Sequence, residues 1–302
     1  MKFWVLGLRA FASGLFGAVL VSCGNHTADT SPPLGSVQQS RVYKSTSNDL
    51  LYVVSEGVTE FFTFPQGESV GSTDNGAVGI CTDAKGNIWV TNYDGYAYEY
   101  AHGGTQIIDT LYFRVRSPLS GCAVNKSTGN LAITVTADYG QVYIFWNTDG
   151  TGTAYKTPFP RPYKCAYDDQ GNLFVDGSGS TFEVAELPKG ASQFKLLSFD
   201  AGKSQGAGSI RYDGKYMAIS TRVKKRPVLY RFQVAGSAGE VERKTPFQQM
   251  WKASSFWIQG KTLIGATRHD VGLWNWPRGG KPYGVLDIQS AQDFAISPGS
   301  SH

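Results

Sequence analysis

Helix-building material is scarce in this chain. Its 302 residues include only 3 Met, and runs rich in Leu, Ala, Glu and Lys are few, which argues against a helical fold. Charge is sparse as well: Asp, Glu, Lys and Arg make up 17% of the residues. The formal net charge is +4, and without Lys2 and Arg9 of the first segment 26 basic residues face 24 acidic ones. Such a balance argues against a nucleic-acid partner, which calls for a marked basic footprint. Histidine is limited to His26, His102, His269 and His302, with no His-x-His or His-Glu-x-x-His spacing, so a zinc site has no support. No phosphate-cradling glycine loop occurs. What is abundant is 36 Gly, 16 Tyr and 13% aromatics, the composition of strands and turns.

Residues 1–22 start with Lys2 and continue as an apolar stretch broken by Arg9 and several glycines. The part after Arg9 is short for a membrane span and fits a secretory signal peptide. Leu20-Val21-Ser22-Cys23 at its end resembles the bacterial lipobox. The resemblance implies that Cys23 is acylated and becomes the N-terminus of a lipoprotein. Gly24, rather than an aspartate, follows Cys23, and the resemblance then implies sorting to the outer membrane where a cell has one. Residues 23–48 are polar, include Pro32-Pro33 and show no hydrophobic period, as expected of a flexible tether. The expected address is the cell envelope, facing periplasm or exterior, with the membrane as a partner through the N-terminal lipid.

Residues 49–302 repeat. Gly79-Ile80-Cys81-Thr82-Asp83 leads to Gly86-Asn87-Ile88-Trp89-Val90; Gly121-Cys122-Ala123-Val124-Asn125 leads to Gly129-Asn130-Leu131-Ala132-Ile133; Lys164-Cys165-Ala166-Tyr167-Asp168 leads to Gly171-Asn172-Leu173-Phe174-Val175. The Gly-Asn pairs are 43 and 42 residues apart. Each unit reads as a short strand, a tight turn and a second strand. A third strand ends at a glycine turn, at Gly67, Gly103, Gly150, Gly190, Gly236 and Gly279, and these glycines step by 36, 47, 40, 46 and 43 residues. A period near 42 with several short strands per unit predicts an all-β, six-bladed β-propeller of four-stranded blades. Asp293–Ser297 reads as a first strand with no second strand after it, and Leu50–Val54 and Val58–Phe62 as second and third strands with no first strand before them. The C-terminal strand is therefore expected to join the N-terminal blade and close the ring.

The repeat resembles that of the NHL and streptogramin-lyase-like propellers, to which the gluconolactonase-like six-bladed propellers are related, over about residues 50–298. The resemblance speaks to architecture, since such folds host many functions. Gluconolactonase-like enzymes hold a channel metal with a Glu, two Asn and an Asp, a set that does not map onto this chain residue by residue. No cofactor is predicted, and a channel metal such as calcium stays open.

Cys23 is assigned to the lipid. Cys122 and Cys165 occupy the same place in adjacent repeats, so a Cys122–Cys165 disulfide is one expectation, and two buried thiols the other. Cys81 falls on the opposite side of its strand. The recurring Asp83, Asn125, Asp168 and Asp213 are expected to be turn formers rather than a ring of metal ligands. Loops after the second strands differ between units and carry Glu56, Asn92, Asp94, Asp138, Asp176, Arg222, and the run Thr267-Arg268-His269-Asp270. A His beside an Asp can serve as a general base, which makes Glu56, Asp94, Asp176, Arg222, His269 and Asp270 the candidate catalytic set. Arg222, Lys224, Lys225 and Arg226 form a short basic run, and Trp274 and Trp276 share one side of a strand, the side expected to pack between blades. The leading expectation is a monomeric, lipid-anchored propeller that binds a small molecule, glycan or protein at its channel mouth. The alternative is a lactonase- or lyase-like enzyme using the six candidates.

Overall fold

The computed structural model describes residues 48–113, 118–136, 140–179, 181–200, 204–252 and 254–299. Cys23, the leader, nearly all of the tether and Asp138 lie outside the described residues. Among the described residues, every long regular element is a strand. In chain order these are β1 (Leu50–Ser55), β2 (Val58–Thr63), β3 (Ser69–Asp74), β4 (Ala77–Thr82), β5 (Ile88–Asn92), β6 (Tyr96–Tyr100) and β7 (Ile107–Tyr112). Then come β8 (Leu119–Val124), β9 (Leu131–Val135), β10 (Gln141–Trp146), β11 (Asp149–Lys156), β12 (Arg161–Tyr167), β13 (Leu173–Ser178), β14 (Phe182–Leu187) and β15 (Lys195–Phe199). The last are β16 (Ser204–Tyr212), β17 (Met217–Val223), β18 (Arg226–Ala235), β19 (Ala238–Pro246), β20 (Phe256–Gln259), β21 (Thr262–Ala266), β22 (Val271–Asn275), β23 (Gly284–Leu286) and β24 (Ala291–Ser297).

Three sheets take their strands in sequence: β4 to β7, β8 to β11 and β20 to β23. A fourth has the order β24–β1–β2–β3, with Leu51 opposite Ile296 and Val53 opposite Phe294, so the C-terminal strand pairs with the first. The remaining eight strands form one sheet, because β15 and β19 are bridged in parallel through Ser198–Ala238 and Phe199–Gly239. The strands β4, β8, β12, β16, β20 and β24 pack on one another in cyclic order, β24 returning to β4. These inner strands surround an axis. Strands β5 and β9, next to the inner ones, are buried at every residue, whereas β3 and β7 at the outer edges are largely exposed. Burial on both faces explains why the second strands read as continuous apolar runs instead of alternating.

Turn chemistry follows the repeat. The side-chain oxygen of Asp83 accepts from the amides of Lys85 and Asn87, both at 2.8 Å. Asn125 does the same for Ser127 and Thr128, Asp168 for Gln170 and Asn172, and Asp213 for Lys215 and Tyr216. The six glycines that end the third strands all have positive φ, a backbone region open to glycine at little cost. Trp274 and Trp276 are both buried, in one cluster with Phe247 and Phe256.

The disulfide differs from expectation. Cys81 is bonded to Cys122, with Cα atoms 5.6 Å apart, and Cys165 is a free, buried thiol. Stacked sheets account for this. Equivalent positions on neighbouring inner strands face the same way round the ring, so Cys122 and Cys165 are separated by a sheet. Residues of opposite parity meet in the space between two sheets. Cys81 and Cys122 share such a space with Trp89 and Leu119, and in the next one Cys165 meets Ala123. Burial pushes the Cys165 thiol up to about 12, which leaves it unreactive.

Candidate functional site

Antiparallel order gives the ring two faces. The turns between second and third strands, and the connections from each outer strand to the next inner strand, emerge on one face. Glu56, Asp94, His269 and Asp270 occupy such turns, and Arg222 lies beside one. Glu56, Asp94, Arg222 and His269 are exposed. In the Thr267–Asp270 turn, the Thr267 hydroxyl accepts from the amides of His269 at 3.4 Å and Asp270 at 2.9 Å, so threonine organises the turn and the imidazole does not. Among the described residues no hydrogen bond or ion pair joins any two of the six candidates. Gly-x-Ser-x-Gly spacing occurs at Ser69 and Ser204. Both begin strands, β3 and β16, instead of standing at the strand-to-helix turn that exposes a nucleophile.

Asp176 is not a loop residue. It is a fully buried side chain within β13 that accepts from the amides of Lys164 at 2.8 Å and Gly208 at 3.1 Å. Thr91 donates to the Gly79 carbonyl, Thr134 to those of Gly121 and Tyr163, and Ser220 accepts from the Ser209 amide. Each of these four side chains stands opposite a register shift in an inner strand. They satisfy backbone groups that the bulges leave unpaired. Burial pushes the Asp176 carboxyl up to about 7, against the pull of those amides and of Lys164 and Arg211.

The axis itself holds a cluster of charge. Asp293 on β24 is 1% exposed. Its Oδ2 receives Lys164 Nζ at 2.6 Å and the Ile80 amide at 3.3 Å. Its Oδ1 receives the Ser255 hydroxyl and the Phe294 amide, and lies 3.5 Å from Arg211 Nη2. Lys164 also donates to the carbonyls of Ser120 at 2.8 Å and Val78 at 3.5 Å. Burial works to raise the Asp293 pKa, but Lys164 and Arg211 outweigh it, and the carboxyl is held below its ordinary value. Close approach of the strands depends on small residues. A Cβ on Gly79 would lie 2.9 Å from the Ser120 carbonyl, and one on Gly121 would lie 2.8 Å from the Tyr163 carbonyl and 2.7 Å from Lys164 Cδ. The lysine stem therefore runs over Gly121 to reach the far side of the axis. Two cations here disfavour a divalent cation, which seeks six or more oxygen ligands. Among the described residues no group of three His, Cys, Asp or Glu is placed to hold a metal.

The repeat hides this cluster from a reader of the sequence. Its signal is a charge inside a short apolar strand: Lys164 where the other repeats have Gly79 and Gly121, Arg211 where they have Cys81, Ala123 and Ala166, and Asp293 ahead of Phe294-Ala295-Ile296.

On the opposite face, a cleft of about 480 Å³ is lined by Asp213, Arg231, Lys261, Asn275, Trp276 and Arg278, among others. Arg231 Nε meets Asp213 Oδ2 at 2.6 Å and the Trp276 indole donates to the same oxygen at 2.9 Å. Burial raises the Asp213 pKa, yet Arg231 and the surrounding donors outweigh it and the net shift is downward.

No family model and no curated protein matches the chain. Solved structures do. A protein of unknown function from Bacteroides caccae aligns with TM-score 0.61 and 11% identity, over 83% of this chain and 99% of that one. A chain of a nidogen/laminin complex aligns with TM-score 0.60 and 12% identity, over 82% and 98%. At such identities the likeness concerns the fold, and it agrees with the cyclic packing of sheets: the chain has a β-propeller-like, all-β fold.

Proposed function

We propose that the chain is a six-bladed propeller of four-stranded blades, carried on a lipid-anchored tether from Cys23, that binds a protein at the cell envelope through the face bearing Glu56, Asp94, Arg222 and His269. Six inner strands in cyclic order and six apolar clusters support the blade count, one of the clusters lying between the β12–β15 and β16–β19 halves of the eight-stranded sheet. The observation that carries the binding reading is on the connection face. Trp251 is 55% exposed there and Tyr93 66% exposed, and the Arg268 guanidinium lies 5.5 Å over the Trp251 ring. Tyr, Trp and Arg are the residues most enriched at protein contacts and at their energetic centres. One structural neighbour comes from a complex of two proteins, a use to which this kind of scaffold lends itself.

Two experiments test the reading. Metabolic labelling with palmitate should mark the wild-type protein and not Cys23→Ser. Cross-linking from a photoreactive residue at Tyr93 should capture a defined partner whose yield drops in Trp251→Ala and Arg268→Ala. Turnover on a lactone and ester panel that is abolished by His269→Ala, with stoichiometric metal in the purified protein, would instead establish an enzyme.

A further inference from the structure

The groups around Asp293 are unevenly matched. Arg211, on β16, is 7% exposed and its Cζ lies 5.0 Å from the Trp257 ring centroid. Its Nη2 reaches Asp293 only at 3.5 Å, while Lys164 holds the same carboxylate at 2.6 Å. Among the described residues, Nε and Nη2 of Arg211 meet no hydrogen-bond acceptor. The same holds for Trp257 Nε1 and Ser209 Oγ, and all four atoms are buried. Buried polar groups in folded proteins are satisfied almost without exception.

Electrostatics selects the sign of what satisfies them. Two cations, Lys164 and Arg211, share one committed carboxylate. Asp176 is spoken for, since the amides of Lys164 and Gly208 take its two oxygens. Its carboxyl, pushed up to about 7 by burial, also carries only part of a charge near neutrality. A guanidinium away from water is costly unless a counter-charge accepts its hydrogens. Water would complete the hydrogen bonds and leave Arg211 with only its share of the Asp293 carboxylate. The planar donor fork suits a halide or a carboxylate.

We infer that Arg211, packed on Trp257 and two residues after Ser209 on β16, forms a buried axial site for a small monovalent anion, a free halide or the carboxylate of a short organic acid. The site is independent of the binding face proposed above.

The test uses the folded protein in two ways. Thermal melts at constant ionic strength compare chloride, formate and the bulky anion gluconate, and crystals grown in sodium bromide are read by anomalous scattering. The expected results are a melting temperature that rises with chloride or formate over gluconate, and a bromide peak within hydrogen-bond reach of Arg211 Nε or Nη2. Whichever of chloride and formate stabilises at the lower concentration identifies the source. Arg211→Gln should lose the anion dependence and Arg278→Gln, on the opposite face, should keep it. Where Arg211→Gln does not fold, Ser209→Ala and the wild-type titration decide. Identical melts in all three salts, or bromide found only at the surface with water at Arg211, would overturn the inference.

Discussion

Asp293, four residues before the end of β24, is ion-paired with Lys164 of β12 across the axis, at 2.6 Å. The pair joins the strand that closes the ring to a strand 129 residues earlier in the chain. The same carboxylate takes hydrogen bonds from Ser255 beside β20 and from the Ile80 amide on β4, and the charge of Arg211 on β16. Closure of the ring therefore rests on one buried anion as well as on the β24–β1 ladder.

Removing that anion while keeping its shape isolates its role. Asp293→Asn takes away the carboxylate that Lys164 and Arg211 share, and breaking a buried pair in this way costs about 3–5 kcal/mol. Lys164→Met should cost less, because Arg211, Ser255 and two amides still serve Asp293. Urea unfolding measures both. An Asp293→Asn variant within about 1 kcal/mol of wild type, the level of an exposed pair, would show that the ladder alone closes the ring.

A fall in pH below about 4 and a rise from about 4 to about 7 should act through different carboxyls. The folded pKa of Asp293 is lowered from 3.8, so its contribution is present above the unfolded value and lost as pH falls through the folded one. The folded pKa of Asp176 is raised from 3.8 to about 7, and here the sign reverses. Between those two values the unfolded chain ionises while the folded one keeps its proton, so stability falls as pH rises, and the loss is complete above about 7. Urea midpoints from pH 3 to 9 should show a maximum on the acid side of neutrality. Asp176→Asn should flatten the limb between pH 4 and 7 and leave the acid limb in place. A limb unchanged in Asp176→Asn would assign it to another group.

The architecture was legible because a blade is a local object. Its turn residues, Asp83 and Gly86 or Asp168 and Gly171, act within a few residues of each other, and their spacing repeats. The axial cluster was not legible because it is assembled from one residue of each of several repeats, Lys164, Arg211 and Asp293 among them, at places where the repeat is broken. Asp176 looked like a variable loop residue because sequence alone does not show where β13 ends. The cysteine pairing turned on the direction in which stacked sheets face, which equivalence between repeats cannot reveal.

The disulfide should be countable. In a chain beginning after Cys23, denaturation without reductant should expose one reactive thiol, that of Cys165, and reduction should raise the count to three. Peptide mapping should return a Cys81–Cys122 cross-link. The bond spans 41 residues, and in the chain-entropy view a loop of that length contributes about 3–4 kcal/mol. Cys122→Ser should lower the unfolding midpoint accordingly, while Cys165→Ala should have an effect limited to packing. Three thiols without reductant would sink the bridge.

Gly121 tests how tightly the axis is drawn. Its φ is not among the positive values, so alanine meets no backbone strain there and any cost is steric. The added Cβ would lie 2.8 Å from the Tyr163 carbonyl and 2.7 Å from Lys164 Cδ. The lysine stem can bend away, but the carbonyl belongs to the neighbouring inner strand and is held by Ser120 and Thr134. Overpacking of this kind costs about 1–3 kcal/mol. Gly190→Ala supplies the contrast, with φ +79° and open space around its Cβ, so that its cost of about 1 kcal/mol is conformational. Lys164→Ala should rescue part of the Gly121→Ala loss by freeing the Cδ contact, and the remainder should persist because the Tyr163 carbonyl stays. Full rescue would mean that the strands yield, and additive losses that the lysine stem never touched the glycine.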